Sequence, residues 1–80
     1  MRITIRGKTY SVSKEEVEER LRAVEPEEER RARYFVEIGG KEFPIKQVLN
    51  QTLNLPKLAF TSQDAFIVLE KLGFKITERS

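Results

Sequence analysis

Residues 34–54, YFVEIGGKEFPIKQVLNQTLN, decide the fold of this 80-residue chain. Apolar side chains recur at every second position through Val36 and Ile38, and again through Phe43 and Ile45. Two glycines interrupt them, which is the pattern of a strand, a tight turn and a returning strand. From Pro44 the period lengthens to that of a helix ending near Asn54. Pro44 suits a first helical turn, where its missing N–H is not needed. On a helical wheel Val48, Leu49, Thr52 and Leu53 cluster around Ile45, while Lys46, Gln47, Asn50, Gln51 and Asn54 fill the opposite arc. Pro56 prevents continuation.

The same pattern occurs upstream at an offset of 33 residues: Ile3, Ile5, Gly7, Lys8, Tyr10 and Val12 match Val36, Ile38, Gly40, Lys41, Phe43 and Ile45. Duplication and chance both produce such a match, and each copy reads as a hairpin running into a helix. Taking Gly7-Lys8 and Gly40-Lys41 as type II′ loops, with glycine at the positive-φ position, sets Ile5 opposite Tyr10 and Ile3 opposite Val12. In the second copy Ile38 then faces Phe43 and Val36 faces Ile45. The first helix begins at Ser13, which forms a capping box with Glu16. It carries the apolar stripe Val17, Leu21 and Val24, with Glu16–Arg20 and Glu18–Arg22 as helical ion pairs. Pro26 ends it.

A charged connector, residues 26–33, reads as solvated chain, with one helical turn as an alternative. Downstream, Thr61 or Ser62 caps a third helix and Asp64 favours its positive end. Ala65, Phe66, Val68, Leu69 and Leu72 give that helix a wide apolar face. Gly73 is placed as a left-handed C′ residue with Phe74 folding back, and Phe74, Ile76 and Thr77 form a last short strand. Ile67 falls on the polar side of the helix, against the pattern.

The expected architecture is α+β in a single small domain, residues 1–80. A hairpin and acidic helix (1–25) lead through the connector (26–33) to a hairpin, two helices and a strand (34–77), with the helices on one sheet face. The expected core is Ile3, Ile5, Tyr10, Val12, Val17, Leu21, Val36, Ile38, Phe43, Ile45, Val48, Leu49, Leu53, Leu69, Leu72 and Phe74.

Composition removes most catalytic chemistry. There is no cysteine, no histidine and a single aspartate, Asp64. Disulfides, thiolate sites, imidazole ligands and histidine general bases are therefore excluded. The glutamates at 15, 16, 18, 19, 27, 28 and 29 lie along a charged helix and connector, where nothing separates their pKa values into an acid and a base. Gly39-Gly40-Lys41 lacks the earlier glycine and the following serine or threonine of a phosphate loop. No enzyme, metal or cofactor is expected. The chain has no apolar run near the roughly 20 residues of a membrane span and no signal-peptide core, so a cytoplasmic location is expected.

The segment Tyr34…Gly40-Lys41-Glu42-Phe43-Pro44-Ile45-Lys46…Phe60-Thr61…Leu69-Glu70-Lys71-Leu72-Gly73-Phe74 resembles the N-terminal head domain of modification-dependent, type IV restriction endonucleases of the HNH class. The resemblance covers residues 34–76 and implies a DNA-associated accessory domain without catalysis. It transfers three positions, Lys41, Pro44 and Lys46. The nuclease and modified-base modules of those enzymes have no counterpart in this sequence.

Charge points the same way. Residues 1–29 carry a net −2 and residues 30–80 a net +4, a modest version of the basic footprint of nucleic-acid binding. Asparagine and glutamine reach adenine edges, lysine reaches guanine or phosphate, and the second helix has no carboxylate to repel them. The expected contact residues are Lys41, Lys46, Gln47, Asn50, Gln51 and Lys57, with duplex DNA the favoured partner. Among the aromatics, only Tyr34 and Phe35 stand outside the expected core as stacking candidates. The alternative partner is a protein, or a second copy of the chain, meeting Ile67 and Phe35.

Overall fold

Strand β1 (Arg2–Ile5) pairs antiparallel with β2 (Lys8–Ser11), and Ile3 lies opposite Tyr10 and Ile5 opposite Lys8. The loop is therefore Arg6-Gly7. The second hairpin, β3 (Tyr34–Ile38) with β4 (Lys41–Pro44), turns through Gly39-Gly40 and pairs Ile38 with Lys41 and Val36 with Phe43. Both loops sit one residue earlier than the type II′ reading places them. All four loop residues have positive φ, at 50° and 83° in the first turn and 60° and 81° in the second. That is the requirement of a type I′ turn, whose twist matches the flanking strands. Moving the loop by one residue shifts the pairing by two, so every side chain keeps its face. Ile3, Ile5, Val12, Val36, Ile38 and Phe43 are buried, as the alternation demands. In this computed structural model the described residues are 1–28 and 31–79. Glu29, Arg30 and Ser80 lie outside them, and with them part of the helical turn considered for the connector.

Two hairpins at a 33-residue offset lead into different helix starts. Helix α1 (Lys14–Leu21) is capped by Ser13, whose Oγ accepts from the Glu16 N–H at 3.1 Å. Val17 and Leu21 are buried, and among the described residues its ion pair is the exposed Glu19–Arg22, which adds little stability. Helix α2 (Ile45–Leu53) begins directly on β4, with Pro44 at its N-cap and no side-chain cap. Pro44 thus ends the strand instead of opening the helix, with ψ of 138°. It lies opposite Phe35. Counting from the turn-closing pair, this is a non-hydrogen-bonded position, so its missing N–H points away from β3 and the ladder is intact.

Strand β5 (Ile76–Glu78) adds to the other side of β3, giving the order β4-β3-β5, all antiparallel. A central β3 has both edges paired. Phe35 lies on the outer face, as expected, yet is only 9% exposed. The Arg79 guanidinium sits 4.2 Å from its ring centroid, and Arg79 also pairs with Glu42. This corrects the expectation that Phe35 is an open contact residue: the chain beyond β5 carries a cation over it.

Helix α3 (Ser62–Lys71) starts with a complete capping box in which Thr61 and Asp64 exchange side-chain and backbone bonds. It ends on Gly73 at φ 95°, with Phe74 N–H donating to Leu69 O at 3.1 Å and Gly73 N–H to Glu70 O at 3.0 Å. These are the two bonds of the Schellman motif. A Cβ at position 73 would meet no atom within 4 Å, so the cost of replacing this glycine comes from its φ alone. Gly73→Val is expected to destabilise by about 1 kcal/mol or more, with Gly73→Asn milder because asparagine tolerates left-handed φ. Urea denaturation of the two variants checks the order.

The core lies between α2, α1, α3 and the inner sheet faces. It contains Phe60, Ala65 and Val68, which the expected core omits, while Tyr10, Leu53 and Leu72 pack against it partly buried. Phe60 enters from a 3-10 turn, Lys57–Ala59, that carries the chain from α2 to α3. Among the described residues no helix is long and apolar enough to cross a membrane.

Candidate functional site

The polar arc of α2 is where the contact residues were expected, and most of it is occupied by the chain itself. Helix α1 already ends at Leu21, before Val24 and Pro26, and the irregular chain that follows has backbone groups that need partners. Gln47 supplies both kinds at one point, since a primary amide donates and accepts. Its Nε2 donates to Glu25 O at 2.8 Å and its Oε1 accepts from the Glu27 N–H at 3.0 Å. Gln47 is 4% exposed, buried among a helix's polar residues.

Two lysines complete the clasp. Lys41 donates from Nζ to Val24 O at 3.3 Å and pairs with Glu25 at 2.9 Å, and Lys57 pairs with Glu27. The chain over residues 24–27 is therefore docked against α2, which corrects the reading of the connector as solvated at its start, while Glu28, Arg31 and Arg33 further along it are exposed. Its charge pattern matched the lysines, and its backbone matched the amide. Asn50 turns back to donate to Leu55 O at 2.5 Å, closing the exit from α2 around Asn54 at φ 56°. Gln51 remains exposed. Lys46 is half-buried, with its ammonium 5.5 Å from the Phe60 ring centroid.

The six expected contact residues thus divide by role. Lys41, Gln47 and Asn50 bind their own chain. Gln51 is open, and Lys46 and Lys57 turn towards a cleft of about 300 Å³ between the connector and the starts of α2 and α3. Arg31 and Arg33 also line this cleft, beside Tyr34 and Ser62. Among the described lining residues Glu27 is the one carboxylate, and it is paired with Lys57. Arg33 approaches Glu78 only to 4.0 Å, both side chains being mostly exposed, which leaves its charge nearly unneutralised. With Lys57 offset by Glu27, the described lining keeps a net positive charge from Arg31, Arg33 and Lys46, and a concavity concentrates such a field. The first turn of α2, with no side-chain cap, faces the same cleft and adds the positive end of its dipole. Tyr34 forms a rigid wall, its ring edge-on to Phe66 with centroids 5.1 Å apart. Among the described residues no group of three or more His, Cys, Asp or Glu is placed to hold a metal.

One family model, described as SCO5918-like, matches residues 1–80. The chain belongs to the SCO5918-like family. The match takes in both hairpins, the connector and all three α-helices. It does not bear on the resemblance of residues 34–76 to restriction-enzyme head domains. Comparison with curated proteins and with solved structures gave no match.

Arg31 and Arg33 were not among the residues picked out by sequence. The signal for them was the excess of positive charge after residue 29. Nothing in the spacing of a charged connector shows which of its arginines line a cavity.

Proposed function

We propose that this domain is a non-catalytic nucleic-acid-binding module that grips the phosphate backbone in the cationic cleft, with duplex DNA as the favoured partner. One observation carries the reading: among the described residues, Arg33 and Lys46 line one cleft together with Arg31 and the Lys57–Glu27 pair, which leaves its lining net positive. Phosphates bind where backbone amides and cations converge, and such contacts position a duplex without reading its sequence. Every aromatic ring among the described residues is buried or half-buried, so no open platform favours stacked single strands. The resemblance of residues 34–76 to a DNA-associated head domain supports the same partner. The cysteine-free composition fits work in the cytoplasm. Lys41 and Gln47, expected at the contact, serve instead to hold the connector that shapes the cleft.

Fluorescence anisotropy with a labelled random duplex tests this. Affinity is expected on the order of 10⁻⁴–10⁻⁶ M, and three phosphate contacts lower it about 40-fold between 50 and 200 mM salt. Lys46→Glu combined with Arg33→Glu should remove binding and leave the melting temperature nearly unchanged. An affinity indifferent to both charge reversals would refute the cleft as the contact.

A further inference from the structure

A second groove lies on another face of the molecule, between the outer edge of β1 and helix α3. The β1–β2 sheet has two strands, so one edge of β1 pairs with nothing. The turn-closing pair Ile5–Lys8 and the 2.8 Å bond from Val12 N–H to Met1 O set the alternation of the ladder. The N–H and C=O of Ile3 and Ile5 therefore point to β2, while those of Arg2 and Thr4 point to the open edge. Facing that edge is one stripe of α3, with Asp64, Ile67, Val68 and Lys71 at helical spacing. The space between holds about 300 Å³. Ile67, the apolar residue that breaks the helix pattern, is 42% exposed there.

We infer that this groove binds an extended segment of another protein by strand addition to β1, and that the segment alternates apolar with acidic residues. The backbone of Arg2 and Thr4 supplies the ladder bonds, and Ile67 with Val68 supplies the apolar wall. Unpaired strand edges beside a helix are where peptides dock in this mode. Charge complementarity selects the occupant. Arg2 and Lys71 line the groove and make no ion pair among the described residues. Asp64, the carboxylate in the lining, is engaged by the Thr61 N–H at 2.9 Å in the capping box. A second copy of β1 is a poor occupant. Residues 1–6 carry Arg2 and Arg6 and no acid, so self-pairing brings like charges together, a device that keeps edges from joining.

The test is an NMR titration of the isotope-labelled full chain with two capped hexapeptides, Val-Glu-Val-Glu-Val-Glu and Val-Lys-Val-Lys-Val-Lys. The glutamate peptide should give saturable shifts confined to residues 2–5 and 64–71. The lysine peptide should bind at least tenfold more weakly. Thr4→Pro removes an N–H that points away from β2, so it should keep the hairpin and weaken the glutamate peptide at least tenfold. Ile67→Asp, at an exposed position, should weaken it similarly and stands in should the proline disturb the strand. Absence of shifts, equal response to both peptides, or shifts that grow with protein concentration in the absence of peptide would each overturn the inference, the last by showing a second copy on the edge.

Discussion

Phe43→Ala is expected to cost about 3–5 kcal/mol of stability, the range for emptying a buried aromatic site. Phe43 is fully buried on the inner face of β4, opposite Val36, at the centre of the core cluster. An 80-residue domain has about 4–12 kcal/mol in total, so the variant should lose a large fraction of its stability. Guanidinium denaturation measures the change, with Ile67→Ala, at an exposed position, as a control expected within about 0.5 kcal/mol of the parent. A loss below about 1.5 kcal/mol for Phe43→Ala would mean that the second hairpin does not form the floor of the core.

Gln47→Ala should cost about 2–3 kcal/mol, from the backbone C=O of Glu25 and N–H of Glu27 left without their partners. The effect is expected to be local as well as global. Once the clasp is lost, the amide of Glu27 should exchange with solvent much faster than in the parent, because local opening needs less free energy where few bonds remain. Gln51→Ala, one helical position class away and exposed, should change neither quantity. If Gln47→Ala and Gln51→Ala behave alike in hydrogen exchange, the connector is not held by the glutamine.

These two variants also mark the difference between what the sequence makes legible and what it conceals. The order of elements, the faces of both hairpins and the αL cap at Gly73 all follow from short-range rules. Alternation assigns Val36 and Ile38 to one side whichever residues form the loop, so the faces were readable although the turn type was not. Gly40-Lys41 and Gly39-Gly40 both satisfy a positive-φ requirement, and only the twist of the paired strands separates them. Phe60 escaped because it lies in an irregular segment with no period to place it. Phe35 was placed on the correct face, but its cover comes from Arg79, more than forty residues downstream.

The candidate site was concealed for the same reason. A helical wheel shows that Gln47, Asn50 and Gln51 share a polar arc; it cannot show that a distant segment, Val24 to Glu27, takes up the amide of Gln47 while Asn50 turns to Leu55. Polar residues on a helix read as solvent-facing because most are. Gln47 departs from this because the irregular chain at Glu25 and Glu27 presents one acceptor and one donor at that place. Lys46 remains in the site because the cleft opens on the first turn of α2, and Lys57 borders the cleft while paired with Glu27. Arg31 and Arg33 reach it from the connector's other end.

The central claim is that the cationic cleft, and not the amide face of α2, meets nucleic acid. The direct measurement is an NMR titration of the labelled domain with a duplex oligonucleotide at low salt, about 20 mM, where phosphate contacts are strongest. The account predicts shifts centred on residues 31–34, 44–46, 57 and 62, fading as salt is raised. Shifts absent at that salt, or confined to α1 and Ile67, would contradict it.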